Sequence, residues 1–348
     1  MKKIRWLLFL SLCSLLFVAI GCNNDLGADP STLTVSKQFF KLNTFNTITL
    51  YGTDDSSLID QGIREVERLE NMLSVHIPTS ELAEIKNNAG VQPIPVSKET
   101  FEVVQRSIHF AKLSDGLFDI SIGPIVSLWG FDTTEGSVPS QHELDTVLPL
   151  VNYQHISMNE TDQTIFLEKE GMSLDLGAIA KGYIADKAAE KLVSLGVDRA
   201  ILNFGGNVVV IGEKFDGSAF NVGIRNPDET IGGIIGVLQS KNSSVVTSGD
   251  YERFIEKDGN RYHHIIDPRT GFPTDNDLTA VAIVADNSFD ADAISTAVLI
   301  MGLSDGIAFV ESLPKTEALF ISKDHTIYVT EAIKPLFILD SNLYTMGE

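Results

Sequence analysis

Cysteine is nearly absent from this sequence, and its absence excludes several kinds of site. The 348 residues contain two cysteines, Cys13 and Cys22, both close to the N-terminus. If Cys22 is lipidated, as the N-terminal pattern below suggests, the mature domain carries no thiol. We therefore expect no disulfide framework, no zinc site with thiolate ligands and no cysteine catalysis.

Positive charge is also scarce. The chain has 26 Lys and Arg residues against 47 Asp and Glu residues, a net charge of −21. Nucleic acid binds basic surfaces, so we expect no nucleic-acid partner. The same negative field would oppose any phosphate-containing substrate, and such a substrate would need a local cation at its site.

Two common site motifs are missing as well. Gly205 and Gly206 follow a predicted strand, but the strand-like run 208–210 comes next, where a dinucleotide-binding fold would place a helix. The seven histidines form no metal-binding pair at helical spacing. We therefore expect neither a Rossmann site nor a histidine-rich metal site.

The first 22 residues have the pattern of a secretory signal. A basic start precedes an apolar run from Trp6 to Ile20, and Gly21 and Cys22 follow. That run is about 15 residues long, shorter than the roughly 20 that span a bilayer. Lipidation of Cys22 would tether an extracytoplasmic protein to the cell membrane; the alternative is an uncleaved anchor. The predicted division is signal peptide 1–21, lipidated cysteine and linker 22–37, and domain 38–348.

The hydrophobic pattern predicts an α+β fold. Helical spacing marks residues 58–73, 97–113, 178–195 and 290–301. Strand-like runs mark 44–51, 164–168, 200–203, 208–211, 220–224, 231–238, 244–247, 251–256 and 278–285. Strands follow strands through the middle of the chain, which favours a largely antiparallel sheet packed by helices over alternating βαβ units. Residues 116–129 are predicted to be irregular.

A stretch that begins at Asp175 is suited to binding an anion. Gly177, Ala178 and Ala180 open a predicted helix, whose free N–H groups and partial positive charge attract anions. Lys181 adds a cation in the first turn, where the helix dipole disfavours it, and this suggests an anionic partner. An ordinary amphipathic helix capped by Asp175 explains the same residues.

A second candidate lies on the predicted helix 290–301. Asp292 and Thr296 stand four residues apart and therefore on one helical face, with Ser295 beside them. Their oxygen atoms suit Mg²⁺, which proteins usually hold through one or two carboxylates together with substrate phosphates. Alternatively, Asp292 interacts with the helix dipole and Thr296 bonds back to its own helix.

Three further segments could supply polar or aromatic contacts. Thr247, Ser248 and Gly249, in a predicted turn, could hold a phosphate or ribityl chain. His264 precedes an Asp-Pro-x-x-Gly turn and could act as a general base or ligand. The aromatic residues of 117–131 could line a flat ring. A hairpin turn, a surface histidine and core packing are the ordinary alternatives.

Together these segments resemble the ApbE family, the FAD:protein FMN transferases. The resemblance rests on four motifs in family order: Asp-x-Gly-x-Ile-Ala-Lys-Gly from Asp175, Thr-Ser-Gly-Asp-Tyr-Glu-Arg from Thr247, His-x-Ile-Asp-Pro-x-Thr-Gly from His264, and Asp-Ala-x-Ser-Thr-Ala from Asp292. It extends from about Phe39 to the C-terminus and implies an ApbE-like fold.

The resemblance also implies residue roles. Mg²⁺ would be bound by the main-chain oxygen of Ala178 with Asp292, Thr296 and Ser295, and the catalytic residues would be Asp292 and His264. Phe45 and the segment after Ser74 depart from the common family residues. The residues that would contact FAD are Phe45, Ser74, Leu117, Phe118, Asp119, Asp175, Lys181, Thr247, Ser248, Gly249 and Ile266.

The implied reaction is attack by an acceptor Ser or Thr hydroxyl on the FMN-side phosphorus of FAD, with AMP leaving and Mg²⁺ stabilising the charge. Acceptor proteins of the family carry a motif like Asp-x-x-Ser/Thr-Gly-Ala/Ser-Thr. This chain has none, so we expect it to modify other proteins. Two alternatives stay open: an FAD pyrophosphatase that uses water as acceptor, and a non-enzymatic flavin- or solute-binding lipoprotein.

Overall fold

The structure is a computed structural model that describes residues 29–131, 136–228 and 233–347. The signal peptide, Cys22 and most of the predicted linker lie outside these residues, so their assignments stay predictions. Among the helices of the described part, none combines the length and the apolar character needed to cross a membrane.

Several helices of the described residues begin at a capping side chain. Asp55, Ser80 and Ser97 each accept a hydrogen bond from a backbone N–H of the first turn that follows. The helices are α1 Ser56–Leu73, α2 Glu81–Asn87, α3 Lys98–Leu113, α4 Gly123–Trp129, α5 Gln141–Val147, α6 Ala180–Ser194, α7 Ser288–Met301 and α8 Leu303–Ser312.

Strands account for most of the middle of the chain, as the sequence predicted. The strands are β1 Thr34–Lys41, β2 Thr44–Tyr51, β3 Ile94–Pro95, β4 Ile156–Asn159, β5 Thr164–Leu167, β6 Ala200–Phe204, β7 Asn207–Ile211, β8 Phe220–Arg225, β9 Ile234–Ser240, β10 Ser244–Gly249, β11 Phe254–Lys257, β12 Asn260–His263, β13 Leu278–Ala285, β14 Glu317–Ser322, β15 Thr326–Val329, β16 Phe337–Leu339 and β17 Thr345–Met346.

Nine of these strands form one sheet, in the order β1-β2-β6-β7-β10-β13-β14-β15-β17. Neighbours run antiparallel apart from the parallel pair β15 and β17. Smaller sheets contain β16-β9-β8, β3-β5-β4 and the hairpin β11-β12. The α+β class and the largely antiparallel sheet packed by helices are therefore confirmed.

The large sheet separates two hydrophobic layers. On one face, Val246 packs into a core shared with α1, α6 and α7. On the other face, Val245 packs into a core shared with β8, β9 and β14. Successive residues of a strand point to opposite faces, so β10 contributes side chains to both layers in turn.

Several predicted boundaries were wrong. The linker was predicted to reach residue 37, but β1 begins at Thr34 and pairs with β2 along its length. Residues 247–249, predicted as a turn, are the end of β10, because Thr247 to Gly249 pair with β13. The predicted strand 251–256 begins at Phe254 instead, and residues 116–129 include the helix α4.

Candidate functional site

The main cavity has a volume of about 660 Å³ and lies on the helical face of the large sheet. Its size falls within the range of small-molecule sites. The β1–β2 turn, the end of α1, the start of α6 and one face of α7 contribute to its walls. The predicted site residues that line it are Ser74, Leu117, Phe118, Asp119, Asp175, Ala178, Lys181, Ser248, His264, Ile266, Asp292 and Thr296.

Four predicted site residues lie elsewhere. The side chains of Phe45 and Thr247 line a second cavity of about 470 Å³. Gly249 lines neither cavity; a Cβ there would lie 2.3 Å from the Tyr251 ring. Ser295 is fully buried, and its hydroxyl donates to the Asp292 carbonyl at 2.8 Å. That bond turns the Ser295 hydroxyl proton to its own helix, and Ser295 is not among the residues that line the cavity, so its part in metal binding stays a prediction.

The floor of the main cavity is the crossing of α6 and α7. Ile179 precedes α6 and offers no capping side chain. Asp292 of α7 supplies the cap, because the N–H of Gly182 donates to its Oδ2 at 2.9 Å. In return, Asp186 of α6 accepts the N–H groups of Ser288 and Phe289, at 2.9 and 2.8 Å, at the start of α7. Each helix therefore caps the other with a carboxylate.

Gly182 makes this exchange of caps possible. A Cβ at this position would lie 2.2 Å from the carbonyl oxygen of Ser288 and 2.8 Å from the Cβ of Asp292. Heavy atoms cannot approach so closely, so a larger side chain would force the helices apart. The glycine in the Lys-Gly pair of the sequence motif therefore sets the distance between the two helices.

The carboxylate of Asp292 is 1% exposed and lies 3.3 Å from the Nζ of Lys181. Lys181 also donates to the Oδ1 of Asn207 at 3.1 Å, which holds the ammonium group at the cavity wall. A buried carboxylate is tolerated when a cation and hydrogen-bond donors compensate it. The cation and the helix N-terminus are also the two features that would attract the phosphates of a ligand.

Two other carboxylates near the crossing have perturbed pKa values. Burial raises the pKa of Asp186 to about 6, against the opposing effect of its two N–H bonds. Burial likewise raises the pKa of Glu252, although the positive charge of Lys181 lowers it in part. Perturbed carboxyl groups that line a cavity are frequent at functional sites, and Glu252 lines both cavities.

The segment that precedes α4 is held in place by Asp119 and Asp175. Asp119 accepts the N–H and hydroxyl of Ser121, at 2.8 and 2.7 Å, and the N–H of Tyr153 at 2.8 Å. Burial raises the pKa of Asp119, and these bonds oppose the rise. The N–H of Asp175 donates to the Ile120 carbonyl at 2.7 Å, which ties this segment to the entrance of α6.

His264 is positioned by the backbone of Arg253. Its Nδ1 lies 3.3 Å from the Arg253 carbonyl oxygen, which assigns the ring proton to Nδ1 and leaves Nε2 as the acceptor. Loss of solvation, reinforced by nearby positive charge, lowers the pKa of His264 to about 3. The ring is therefore neutral at physiological pH and is a weak base.

The described residues contain no group of three or more His, Cys, Asp or Glu side chains that could enclose a metal ion. The predicted donor set has a different chemistry: the Asp292 carboxylate, the Thr296 hydroxyl one turn later and the Ala178 carbonyl. Asp292, Thr296 and Ala178 all line the main cavity. One carboxylate with neutral oxygen atoms fits Mg²⁺, which takes its remaining ligands from water and substrate phosphates.

Sequence reasoning missed three contributors: Gly182, Asp186 and Glu252. Gly182 and Asp186 stand within or just beyond the motif that begins at Asp175, and Glu252 stands within the motif that begins at Thr247. The motifs therefore marked the right segments. The roles depend on contacts with α7 and with the second cavity, which no spacing along one segment reveals.

Comparison with known proteins agrees with this geometry. The model of the ApbE family matches residues 42–320. A FAD:protein FMN transferase of Klebsiella pneumoniae is 36% identical over 283 residues, covering 81% of this chain and 87% of that protein. A FAD:protein FMN transferase of Treponema pallidum is 35% identical over 309 residues, covering 84% and 85%.

Solved structures share the fold. The ApbE protein of Thermotoga maritima superposes with a TM-score of 0.81 at 29% identity and covers 87% of this chain and 99% of its own. The flavin transferase ApbE of Vibrio cholerae superposes with a TM-score of 0.78 at 27% identity, with the same coverage.

Proposed function

This chain belongs to the ApbE family, and we propose that it transfers FMN from FAD to a Ser or Thr hydroxyl of an acceptor protein, with Mg²⁺ bound at Asp292. Transfer of FMN from FAD to protein is the activity that its relatives' names state, and the chain covers more than four fifths of the first two of them. To that activity the proposal adds the acceptor hydroxyl, the bound Mg²⁺ and the release of AMP.

One observation carries the proposal: Lys181 and Asp292 meet at the floor of a cavity of about 660 Å³, beside the N-terminus of a helix. In a protein of net charge −21, this is where phosphates would find compensating charge. The apolar side chains of Leu117, Phe118 and Ile266 line the same cavity and suit a flat aromatic ring.

Residues of this chain would bind the metal and orient the substrate. Asp292, Thr296 and the carbonyl of Ala178 would hold Mg²⁺, which supplies charge neutralisation and Lewis acidity at phosphorus when bound. Lys181 would contact a phosphate oxygen, and the partial positive charge at the start of α6 would add to the attraction. Catalysis would then come mainly from positioning and electrostatic stabilisation.

His264 and Glu252 are the candidates for proton transfer. The neutral His264 could accept a proton at Nε2, but a pKa of about 3 makes it a weak base. Glu252 has a pKa raised by burial and is therefore the stronger base of the two. We propose Glu252 for removal of the acceptor proton, and for His264 a positioning role in which its unprotonated Nε2 accepts a hydrogen bond from a hydroxyl or N–H group of the bound FAD.

The proposed location is the outer face of the cell membrane. The signal-like N-terminus and Cys22 support a lipid anchor, and the acidic composition suits a tether rather than electrostatic binding to an anionic membrane. Radiolabelled fatty acid should be incorporated into the wild-type chain and not into Cys22→Ser. Equal labelling of the two would show that Cys22 is not the attachment site.

The function is tested by incubating the full chain in detergent with FAD, Mg²⁺ and an acceptor protein. Mass spectrometry should find one FMN group on a Ser or Thr of the acceptor, with AMP released in equal amount. An acceptor with that residue changed to Ala and a reaction with chelator should both stay unmodified.

Two other outcomes would replace the proposal. Release of FMN and AMP from FAD without any acceptor modification would identify an FAD pyrophosphatase. Tight FAD binding without turnover, unchanged by chelator or by Asp292→Ala, would identify a flavin-binding protein.

A further inference from the structure

The second cavity, of about 470 Å³, has no part in the function proposed so far. It lies next to the main cavity but on the opposite face of the large sheet. The residues that line it and not the main cavity come from the β2 start, the β6–β7 turn, β8, β10 and the segment after it, and they include Phe45, Gly205, Gly206, Arg225, Thr247 and Tyr251.

Strand β10 shows that the two cavities lie on opposite sides of the sheet. Thr247 lines the second cavity and Ser248 lines the main cavity. Neighbouring side chains of a strand point to opposite faces. Ser248 lies on the side of α7, since its Oγ is 2.8 Å from that of Ser295.

A shared wall separates the two cavities at the end of the sheet. Lys181, Glu252, Arg253 and Asn43 line both of them. Lys181 is also the partner of Asp292. Lys181, the side chain that would contact a phosphate, therefore borders both cavities.

The Gly205-Gly206 turn keeps the second cavity open. Both residues have positive φ, +58° and +97°, and a Cβ on Gly205 would lie 2.7 Å from the side chain of Thr44. The N–H of Gly206 donates to the Oδ1 of Asn203 at 3.1 Å, which fixes the turn. This glycine pair, which the sequence excluded as a nucleotide loop, instead presents bare backbone to the cavity.

We propose that the second cavity receives the segment of the acceptor protein that carries the reactive hydroxyl, while FAD occupies the main cavity. The inference rests on the proposed FMN transfer. The hydroxyl oxygen forms a bond to the FMN-side phosphorus, the bond from that phosphorus to the bridging oxygen breaks, and AMP leaves with the electron pair. The hydroxyl proton passes to Glu252, a carboxylate that lines both cavities.

Phosphoryl transfer supports this arrangement, because the attacking and leaving oxygen atoms stand roughly in line on opposite sides of phosphorus. A hydroxyl that shared the main cavity with FAD would compete with the flavin and AMP groups for the same space. Entry through the second cavity removes that competition and needs no movement of the α6–α7 crossing.

The lining of the second cavity suits an extended polypeptide. The guanidinium of Arg225 lies 5.1 Å from the centre of the Tyr251 ring and brings a positive charge to the wall of the second cavity. Phe45 at the rim is 77% exposed, the largest exposure among the large apolar side chains of the described residues. Exposed aromatic residues beside a cation are typical of protein contact sites.

The test changes Arg225, which lines the second cavity and not the main one. Arg225→Glu should raise the KM for the acceptor by about tenfold, since a cation at the contact becomes an anion. The dissociation constant for FAD, followed by flavin fluorescence in the full chain with Mg²⁺, should stay within about twofold, because Arg225 does not contact the main cavity. Arg225→Lys should restore most of the acceptor affinity.

Arg261→Glu is the matched control. Arg261 is another exposed arginine stacked on an aromatic ring, 3.8 Å from the centre of Phe254, and it lines neither cavity. An unchanged acceptor KM for Arg225→Glu, or an equal rise for both variants, overturns the inference. So does a parallel loss of FAD binding, which would place Arg225 in the FAD site.

Hydrogen exchange gives a second measurement that does not depend on a variant. A synthetic peptide that covers the modified segment of an acceptor should slow exchange at residues 203–207 and 250–253 and leave residues 117–122 unchanged. Protection at 117–122 alone would overturn the inference while FMN transfer stands. Failure of the wild-type chain to modify any acceptor would remove the proposed function, and the inference with it.

Discussion

The α6–α7 crossing and the β1–β2 turn both border the main cavity, but different forces hold them. At the crossing, Asp292 is 1% exposed, and carboxylates cap the helices across a glycine contact. At the turn, Phe40 and Phe45 are 57% and 77% exposed and contact each other edge to face at 5.2 Å. Side chains at the crossing therefore tolerate few substitutions. The turn, by contrast, presents exposed apolar surface to a bound molecule.

This difference matches what each region has to do. Chemistry at phosphorus needs charges fixed to within a fraction of an ångström. Contact with a flavin, a nucleobase or a protein segment needs apolar area, which several side chains can supply. Substitutions at the crossing should therefore affect the rate of transfer and the stability, and substitutions at the turn should affect substrate affinity alone.

The largest expected effect is that of Asp292→Ala. Loss of this carboxylate removes the proposed metal ligand and the partner of Lys181, so FMN transfer should fall by about a thousandfold or more. The fold should remain, as judged by circular dichroism. Asp305→Ala, an exposed acidic residue in the first turn of α8, is the control and should be fully active. A fully active Asp292→Ala would remove Asp292 from the site.

Gly182→Ala should have the second largest effect. Its Cβ would lie 2.2 Å from the Ser288 carbonyl oxygen, so α6 and α7 must separate. We expect a loss of about 1–3 kcal/mol in the free energy of unfolding, measured with urea, and a clear loss of transfer. The matched control is Gly62→Ala in α1, where a Cβ meets Ile48 at an ordinary 3.4 Å. Equal stability of the two variants would contradict the close helix contact.

Asp186→Asn tests the burial of this carboxyl group at the crossing through the pH dependence of stability. Burial raises the pKa of Asp186 from 3.8 to about 6, so the folded protein binds this proton more tightly than the unfolded chain. The stability that this group contributes is full below pH 4 and is lost as pH rises through about 6. The unfolding free energy of the wild type minus that of the variant should therefore fall by about 2 kcal/mol between pH 4 and pH 7.

Urea unfolding of both proteins at several pH values in that range makes this measurement. A difference that stays constant, or rises with pH, would show that Asp186 is not buried as described. Arg106, which pairs with the neighbouring Asp290 at 2.5–2.7 Å, offers a control through Arg106→Gln. That variant tests whether any lost ion pair at α7 mimics the effect.

The smallest effect should be that of Phe40→Ala at the β1–β2 turn. Phe40 lines the main cavity and is more than half exposed, so its removal costs contact area with FAD and little packing. We expect the KM for FAD to rise by about three- to tenfold, with the rate at saturation and the melting temperature nearly unchanged. A large drop in melting temperature would mean that the turn is structural, and the contrast with the crossing would fail.

Sequence patterns were most reliable where one element carried the signal. The strand 44–51 and the strand 278–285 are found residue for residue, and Ser97 caps α3 as predicted. The same holds for Asp292 and Thr296, which one helical turn brings to the same cavity. In each case a period or a cap acts over a few residues, so a local pattern is sufficient.

Patterns failed where a partner from a distant segment decides the outcome. Residues 34–37 looked like the end of a linker because the segment up to them contains Gly27, Pro30 and several Ser and Thr residues, yet pairing with β2 makes them part of a strand. The spacing that made Ser295 a candidate ligand did not show that its hydroxyl donates to its own helix and lies against Ser248 of β10. Thr247 looked like a flavin contact, but its side chain lies on the face of the large sheet that borders the second cavity.

The order of residues along the chain was enough to establish the α+β class, the family and the segments that surround the main cavity, because periodicity, caps and short motifs act locally. The tertiary structure decided the rest. It set the mutual capping of α6 and α7 by Asp186 and Asp292 and the close approach of these helices at Gly182. It also placed Lys181 and Glu252 in the wall between the two cavities. Each of these joins residues about 70 to more than 100 positions apart. Such contacts depend on how whole helices and sheets pack, and no local pattern encodes them.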